Sequence, residues 1–407
     1  MRKSTLLLIL APFALRVLAA DRVTVEQLQQ ALAAANGKQD KEVALKVRGL
    51  ELTERLSAPR LESLKALLPG DESKQALLAL ADESAFLDLP TADTLKLAAP
   101  DSASQGKTVS RAADFVVETV SRMPDFFASR TTTRFQDTKM SSAMGQQVVI
   151  SNQGFHLVDR VSATVTFRNG REVVDPFGGK KRGKSYTSST GLTNWGVFGP
   201  LLGVVMTDIL KSKIGWSHWE QGPTGPLAVF RYAVEEDRSN YTVRYCCFRS
   251  ENGEMKDFEA VPAYHGEIAI DPVSGAILRL VVKTDLMPGL PMERIDLVVN
   301  YGPVEIGGKT YICPTKSTSI SKAAALAFFG YLYYVDKKGG PDYDPHDKVQ
   351  QFTRVSVPLV TAINDVVFDD YHQFRGEVRL VPSDDAEQGV TPAPSAPATV
   401  PATTPRQ

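Results

Sequence analysis

The feature that most constrains this chain is a two-residue hydrophobic period in its middle. Between Phe155 and Phe167, the residues Phe155, Leu157, Val161, Ala163, Val165 and Phe167 alternate with His156, Arg160, Ser162, Thr164 and Thr166. Successive side chains of a strand point to opposite faces, so the pattern predicts one long strand with an apolar side and a polar side. Arg168-Asn169-Gly170-Arg171 follows, and its Asn-Gly supplies the two positive-φ residues of a type I′ hairpin into Glu172-Val173-Val174.

Strand-turn-strand units recur. Leu227–Val234 is followed by Tyr241–Phe248, and Glu267–Ile270 by Ala276–Thr284 across Asp271-Pro-Val-Ser-Gly275. Ile295–Tyr301 is followed by Thr310–Cys313 across Ile306-Gly-Gly. Sequential short strands joined by tight turns predict an antiparallel meander rather than a βαβ sheet. Between them, Pro200 to Lys211 places Leu201, Leu202, Val205 and Ile209 at helical spacing. The fold class expected is therefore α+β, with helices covering one face of a long antiparallel sheet.

The N-terminal part differs in texture. Residues 21–90 read as a small all-α region of short amphipathic helices. Thr24 and Gln27 fit a capping box, and Asp40 is placed to cap a helix carrying Val43, Ala44, Val47 and Leu50. Pro59 suits a first helical turn, and Gly70 a helix end before Asp71 starts another helix. Residues 91–109, entered from Pro90-Thr-Ala-Asp and containing Ala99-Pro-Asp-Ser-Ala-Ser-Gln-Gly, read as a linker, and a helix is expected from Ser110 to Phe127.

The ends speak to destination. Arg2 and Lys3, the apolar run Leu6 to Phe13, and Val17-Leu18-Ala19 have the anatomy of a signal peptide, residues 1–19, cleaved after Ala19. Its apolar run falls far short of the ~20 residues that span a bilayer. Export to the periplasm, or secretion, is expected, with no transmembrane segment in the mature chain. Residues 383–407 are rich in Pro, Ala and Thr, without periodicity, and read as a disordered tail.

Composition excludes more than it selects. Forty-six basic and 47 acidic residues leave no net field that would draw nucleic acid. The three cysteines, Cys246, Cys247 and Cys313, lack the paired spacing of a zinc site. In an oxidising compartment one bridge to Cys313 is expected. Only one of two adjacent strand residues can face it, and Cys247, which shares its side with Val243 and Tyr245, is preferred to Cys246. Three reduced, buried thiols are the alternative.

Three further features bear on chemistry. Gly178 to Ser185 matches the spacing of a phosphate-binding loop, but Asp175-Pro176 precedes it and no good helix follows, so it reads as a flexible basic loop. The histidines, His156, His218, His265, His346 and His372, are scattered and make no metal or nucleophile motif. No cofactor, metal or catalytic residue is expected. The apolar, aromatic run Ala323 to Tyr334 is too short to span a membrane and reads as a buried element or a flap at a cavity mouth.

The stretch Tyr264-His-Gly-Glu-Ile-Ala-Ile-Asp271, the hairpin Ile295 to Pro314, and Ile363-Asn-Asp-Val-Val-Phe368 to Phe374 resemble the late hairpins of periplasmic lipoprotein-carrier (LolA-like and RseB-like) domains. The resemblance covers residues 110–382. It implies an antiparallel β half-barrel covered by helices around an apolar cavity, and a non-enzymatic carrier or sensor of hydrophobic or lipidated ligands. The candidate ligand-binding residues are Phe155, Leu157, Val161, Val165 and Phe167 on the long strand, with Phe328 and Phe329 in the aromatic run. The alternatives are an envelope interaction scaffold that engages a protein partner through residues 21–90, and a hydrolase with a triad assembled in space.

Overall fold

The structure is a computed structural model that describes residues 20–143, 146–175, 191–192, 196–249, 255–288, 290–324 and 359–373. Residues 1–19, read from sequence as a signal peptide, the basic loop 178–185, Phe328, Phe329, His346 and residues 383–407 lie outside the described residues.

In chain order the N-terminal elements are β1 (Asp21–Val23), α1 (Val25–Ala33), α2 (Asp40–Arg48), β2 (Leu50–Leu52), α3 (Ala58–Lys65) and α4 (Asp71–Ser84). Next come β3 (Thr94–Leu95), α5 (Ser102–Arg122), β4 (Phe126–Ala143), β5 (Gln146–Arg168), β6 (Arg171–Asp175), β7 (Gly191–Leu192) and α6 (Pro200–Ile209). The remainder is strand: β8 (Lys213–Gln221), β9 (Pro226–Val234), β10 (Val243–Arg249), β11 (Met255–Ala260) and β12 (Ala263–Ile270). β13 (Ile277–Asp285), β14 (Met292–Ile306), β15 (Lys309–Ala324) and β16 (Leu359–Gln373) complete it. Among the described residues, no helix is long and apolar enough to cross a membrane.

The fold is mixed α+β. Eleven antiparallel strands form one sheet in the order β3-β8-β9-β12-β13-β14-β15-β16-β4-β5-β6, beside a three-stranded sheet β11-β10-β7. The turns form as the residues dictate. Asn169 (φ 51°) and Gly170 (φ 73°) join β5 to β6, and Gly307 (φ 61°) and Gly308 (φ 79°) join β14 to β15.

One pairing differs from expectation. β9 does not pair with β10; it lies between β8 and β12, while β10 joins the small sheet with β11 and β7. Both strands are apolar and follow in sequence, so nothing local selects the partner; the strand before β9 takes the hairpin position instead.

Alternation along β13 and β14 separates the two faces of the large sheet. Leu280, Val282, Leu297 and Val299 pack with α5 and α6, whereas Val281 and Val298 pack with Ala79 of α4 and with Phe86. These are called the α6 face and the α4 face below.

The helical region has its own core, with Leu28, Val43, Ala44, Val47 and Leu77 each no more than 1% exposed. The capping box at Thr24 and Gln27 forms with both of its bonds. Asp40, however, does not cap its own helix. Its carboxylate accepts the Glu72 and Ser73 backbone N–H groups at 3.0 Å each, so it caps α4 across space. Lone donors at the start of α4, which follows Gly70 and has no cap of its own, explain the exchange.

Residues 91–109, expected as a linker, contain β3, which pairs with β8, and the start of α5. Asp101 caps α5 by accepting from Ser104 N, so the helix starts eight residues before Ser110. The Trp219 indole also donates to Ala98 O at 2.8 Å, which ties this segment to the sheet.

The α4 face receives the helical region through charge as well as apolar contact. Ala79 and Phe86 meet Phe135, Val281, Val298, Ile320 and Ile363. To one side, Glu220 accepts from Arg55 at 2.7 Å and from Arg279 at 2.5 Å, while Arg231 pairs with Glu267 at 3.0 Å and Asp88 at 2.6 Å. To the other, Lys316 bridges Asp82 and Asp365. Arg231 and Asp88 are exposed, but Arg55, Arg279 and Glu220 are largely buried. There, contact with the opposite sign offsets part of the desolvation cost that each charge would carry alone.

Candidate functional site

Directly opposed residues of an antiparallel pair lie on the same face, so the registers trace rows across the large sheet. One row on the α6 face runs through Tyr232, Gly266, Val282 and Leu297 on β9, β12, β13 and β14. It continues through Ser319, Asn364, Arg134 and Asp159 on β15, β16, β4 and β5. The chemistry changes abruptly at Ser319: the first half of the row is apolar apart from one phenol, and the second half is polar.

The apolar half is closed by helices. Leu201, Leu202, Val205, Met206 and Ile209 of α6 are all buried against Phe230, Ile268, Val282 and their neighbours. At the far edge, Phe126 stacks on Phe167 at 5.2 Å and Phe198 meets Phe368 edge-on at 5.1 Å. Gly266 is required in the row, because a Cβ there would overlap the Val281 carbonyl oxygen and crowd the Tyr232 hydroxyl. That hydroxyl donates to the same Val281 oxygen at 2.7 Å.

One polar anchor holds α6 down. Asp208, with no exposure, accepts from the Tyr264 hydroxyl at 2.8 Å, from Asn240 N at 2.8 Å and from Asn240 Nδ2 at 2.6 Å. Three donors on one carboxylate satisfy a charge that the apolar surroundings would otherwise reject. At the start of the segment leading into α6, Glu172 Oε2 accepts from Gly196 N at 3.0 Å, and burial pushes the Glu172 carboxyl up to about 7.

The polar half centres on β15. Ser317, Ser319 and Ser321 alternate along that strand and are 1%, 1% and 3% exposed. The Ser319 hydroxyl is buried and has no hydrogen-bond partner among the described residues. Arg134 reaches Asn364 Oδ1 at 3.3 Å and Asp159 Oδ2 at 3.5 Å, both long for a guanidinium. The Tyr245 phenol of β10 is raised by burial, and the positive charge of Arg134 pulls it the other way.

The residues predicted to line a ligand site fall into three environments. Val165 and Phe167 lie in the α6-face core, 0% and 1% exposed. Val161 shares their side of β5 but is 42% exposed. Phe155 packs on the α4 face with Ala79 and Phe135, and Leu157, paired with Phe135, lies on that side too. The reason is a β-bulge: Arg134 pairs with Asp159 but Phe135 with Leu157, so Val158 is an extra residue and the parity of β5 reverses. Phe328 and Phe329 lie outside the described residues.

The expected Cys247–Cys313 bridge is not formed. Cys313 is a free, buried thiol in the α6-face core, and burial pushes it up to about 12. Cys246, in the small sheet, is disulfide-bonded, and Cys313 is not its partner. The strand expected to carry the bridge left the hairpin beside β9 and joined a different sheet from β15.

Two groups resemble catalytic or metal sites only in part. Ser217 Oγ is 2.9 Å from His218 Nδ1, but His218 Nε2 is 3.9 Å from Glu220, whose carboxylate is held by Arg55 and Arg279. Burial lowers the His218 imidazole from its ordinary value. Among the described residues, no three His, Cys, Asp or Glu side chains converge as a metal site.

The sequence reading missed the serine row. Its signal was Ser317-Thr318-Ser319-Ile320-Ser321, three small hydroxyls on one side of a strand. In comparisons with family models, curated proteins and solved structures, nothing matches the chain.

Proposed function

We propose that this chain is an exported, non-enzymatic binder of hydrophobic or lipidated ligands, a carrier or sensor in the periplasm, in which the large sheet curls as a half-barrel and α6 is its cover. The observation that carries the reading is the apolar half of the α6 face, closed by a ten-residue amphipathic helix with one polar anchor. The chain enters α6 through Gly196 (φ 77°) and Gly199 (φ 154°), a backbone path that only glycine follows without strain.

Magnitudes support an exchange of cover. Uncovering five apolar side chains of α6 costs roughly 1.5–3 kcal/mol each, on the order of 10 kcal/mol together. Burying an acyl chain returns about 0.8 kcal/mol per methylene, so about a dozen methylenes offset the loss. The resemblance to lipoprotein-carrier domains agrees with such a ligand, and the signal-peptide pattern of residues 1–19 with the compartment.

The test is binding of the apolar fluorophore N-phenyl-1-naphthylamine, with native mass spectrometry of the gently purified protein. Saturable fluorescence enhancement, and faster probe uptake in Tyr264→Phe, which loosens the Asp208 anchor, are expected. Absence of probe binding in both proteins, with no co-purifying lipid, sinks the reading in favour of a protein-interaction scaffold.

A further inference from the structure

We propose that the serine-bearing half of the α6 face receives the anionic head of an amphiphile whose chain lies on the apolar half. The inference rests on the ligand-binding reading above and names the chemistry of that ligand.

A buried donor without a partner is destabilising relative to one that is satisfied. Ser319 is 1% exposed and its Oγ is unpartnered among the described residues, although Val or Ala would fit a β-strand core without that cost. Ser317 and Ser321 stand on either side of it on the same face. Three hydroxyls in a line present donors to something that accepts hydrogen bonds.

Ser319, Asn364 and Arg134 are consecutive members of one cross-strand row. Among the described residues, the guanidinium is held by the 3.3 Å and 3.5 Å contacts alone, and its Asp159 partner is 34% exposed. A phosphate or carboxylate approaching Arg134 would gain shorter, charge-assisted bonds of the kind a guanidinium fork prefers, displacing Asp159.

Leu297 opposes Ser319 directly, so the polar row begins where the apolar one ends. A ligand spanning that boundary must be apolar at one end and anionic at the other. A plain hydrocarbon would leave Ser319 and Arg134 as they are, and a free anion would leave the apolar half unused.

The experiment is displacement of N-phenyl-1-naphthylamine from the full mature chain by dodecyl phosphate, dodecanol and dodecyltrimethylammonium, three heads on one chain. Dodecyl phosphate is expected to compete about tenfold better than the other two, the size of one charge-assisted hydrogen-bonding contact. Arg134→Gln and Ser319→Ala should each reduce that preference, read within each variant as the ratio of the competition constants of the three heads. Ser319→Ala should also melt no lower than the wild type, which separates a lost contact from a lost fold.

Equal competition by the three heads, or a preference that survives both substitutions, overturns the proposal while the ligand-binding reading stands. Failure of the fluorophore to bind at all removes both. Inorganic phosphate provides the last arm: if it alone abolishes the head preference at concentrations comparable to dodecyl phosphate, the row is a free-anion site and the amphiphile assignment is wrong.

Discussion

Lys316 Nζ lies 2.8 Å from Asp82 Oδ1 and 2.9 Å from Asp365 Oδ1, so one ammonium on the sheet holds a carboxylate from α4 and another from its neighbouring strand. Thr318 adds a hydroxyl bond to Asp82 at 3.2 Å. Burial, reinforced by the charge of Asp365 and opposed by Lys316, pushes the Asp82 carboxyl up to about 7. Removing the shared cation leaves two buried acids facing each other. Lys316→Met is expected to destabilise the chain by about 3–5 kcal/mol. Asp82→Asn, which retains a hydrogen-bonding group, should cost less. Urea unfolding of the two variants decides, and equal, small losses would show that the bridge is a surface contact.

Stability should respond to pH through buried acids. Burial raises Glu83, helped by the charge of Glu51, and raises Glu172; both reach about 7 from an ordinary 4.5. The folded state therefore favours their protonated forms. Their contribution is complete below about 4.5 and is lost as pH rises through about 7. Glu220 runs the other way: burial opposes, but Arg279 and Arg55 hold it below the ordinary range, so its contribution is lost in acid. Melting temperature should rise as pH falls from above 7 towards 4.5, then decline. Glu83→Gln should flatten the first limb, and an unchanged slope would remove Glu83 as its source.

Gly154 marks where β5 passes beneath the end of α2. It has φ 74°, and a Cβ there would overlap the Arg48 carbonyl oxygen. Gly170, in the β5–β6 hairpin, has φ 73° but nothing within 4 Å of a Cβ. Gly170→Ala should cost only the backbone term, about 1–2 kcal/mol. Gly154→Ala should add steric overlap of about 1–3 kcal/mol on top of it. Equal losses would mean that the helical region yields at this contact.

Cys313 should be chemically silent until the chain unfolds. The thiolate is the reactive form, and a thiol raised to about 12 inside the α6-face core offers almost none of it. Alkylation at neutral pH, followed by peptide mapping, is expected to mark Cys313 only in denaturant. Rapid labelling of the native protein would show that this part of the core opens readily.

Local chemistry carried much of the fold into the sequence. Asn169-Gly170 and Gly307-Gly308 demand turns, Thr24 and Gln27 demand a helix start, and the period of β13 and β14 demands two faces. These are legible because each depends on residues only a few positions apart. The candidate site was less so. Val165 and Phe167 were placed on the apolar side of a strand, as the structure has them, but Phe155 and Leu157 were assigned to that side as well. One extra residue at Val158 moved them to the other face, and a two-residue period cannot reveal a bulge that the partner strand decides.

The sequence by itself therefore determined that this chain makes antiparallel strands, where most of its turns fall and which positions are apolar. Tertiary structure decided the rest. It selected β12 over β10 as the neighbour of β9, lent Asp40 to the start of α4, and left Cys313 unpaired. It also brought Ser319, Asn364, Arg134 and Asp159 into one row from four strands. Each of these outcomes depends on register between segments far apart in the chain, where burial and shape discriminate between partners that local propensity treats as equal.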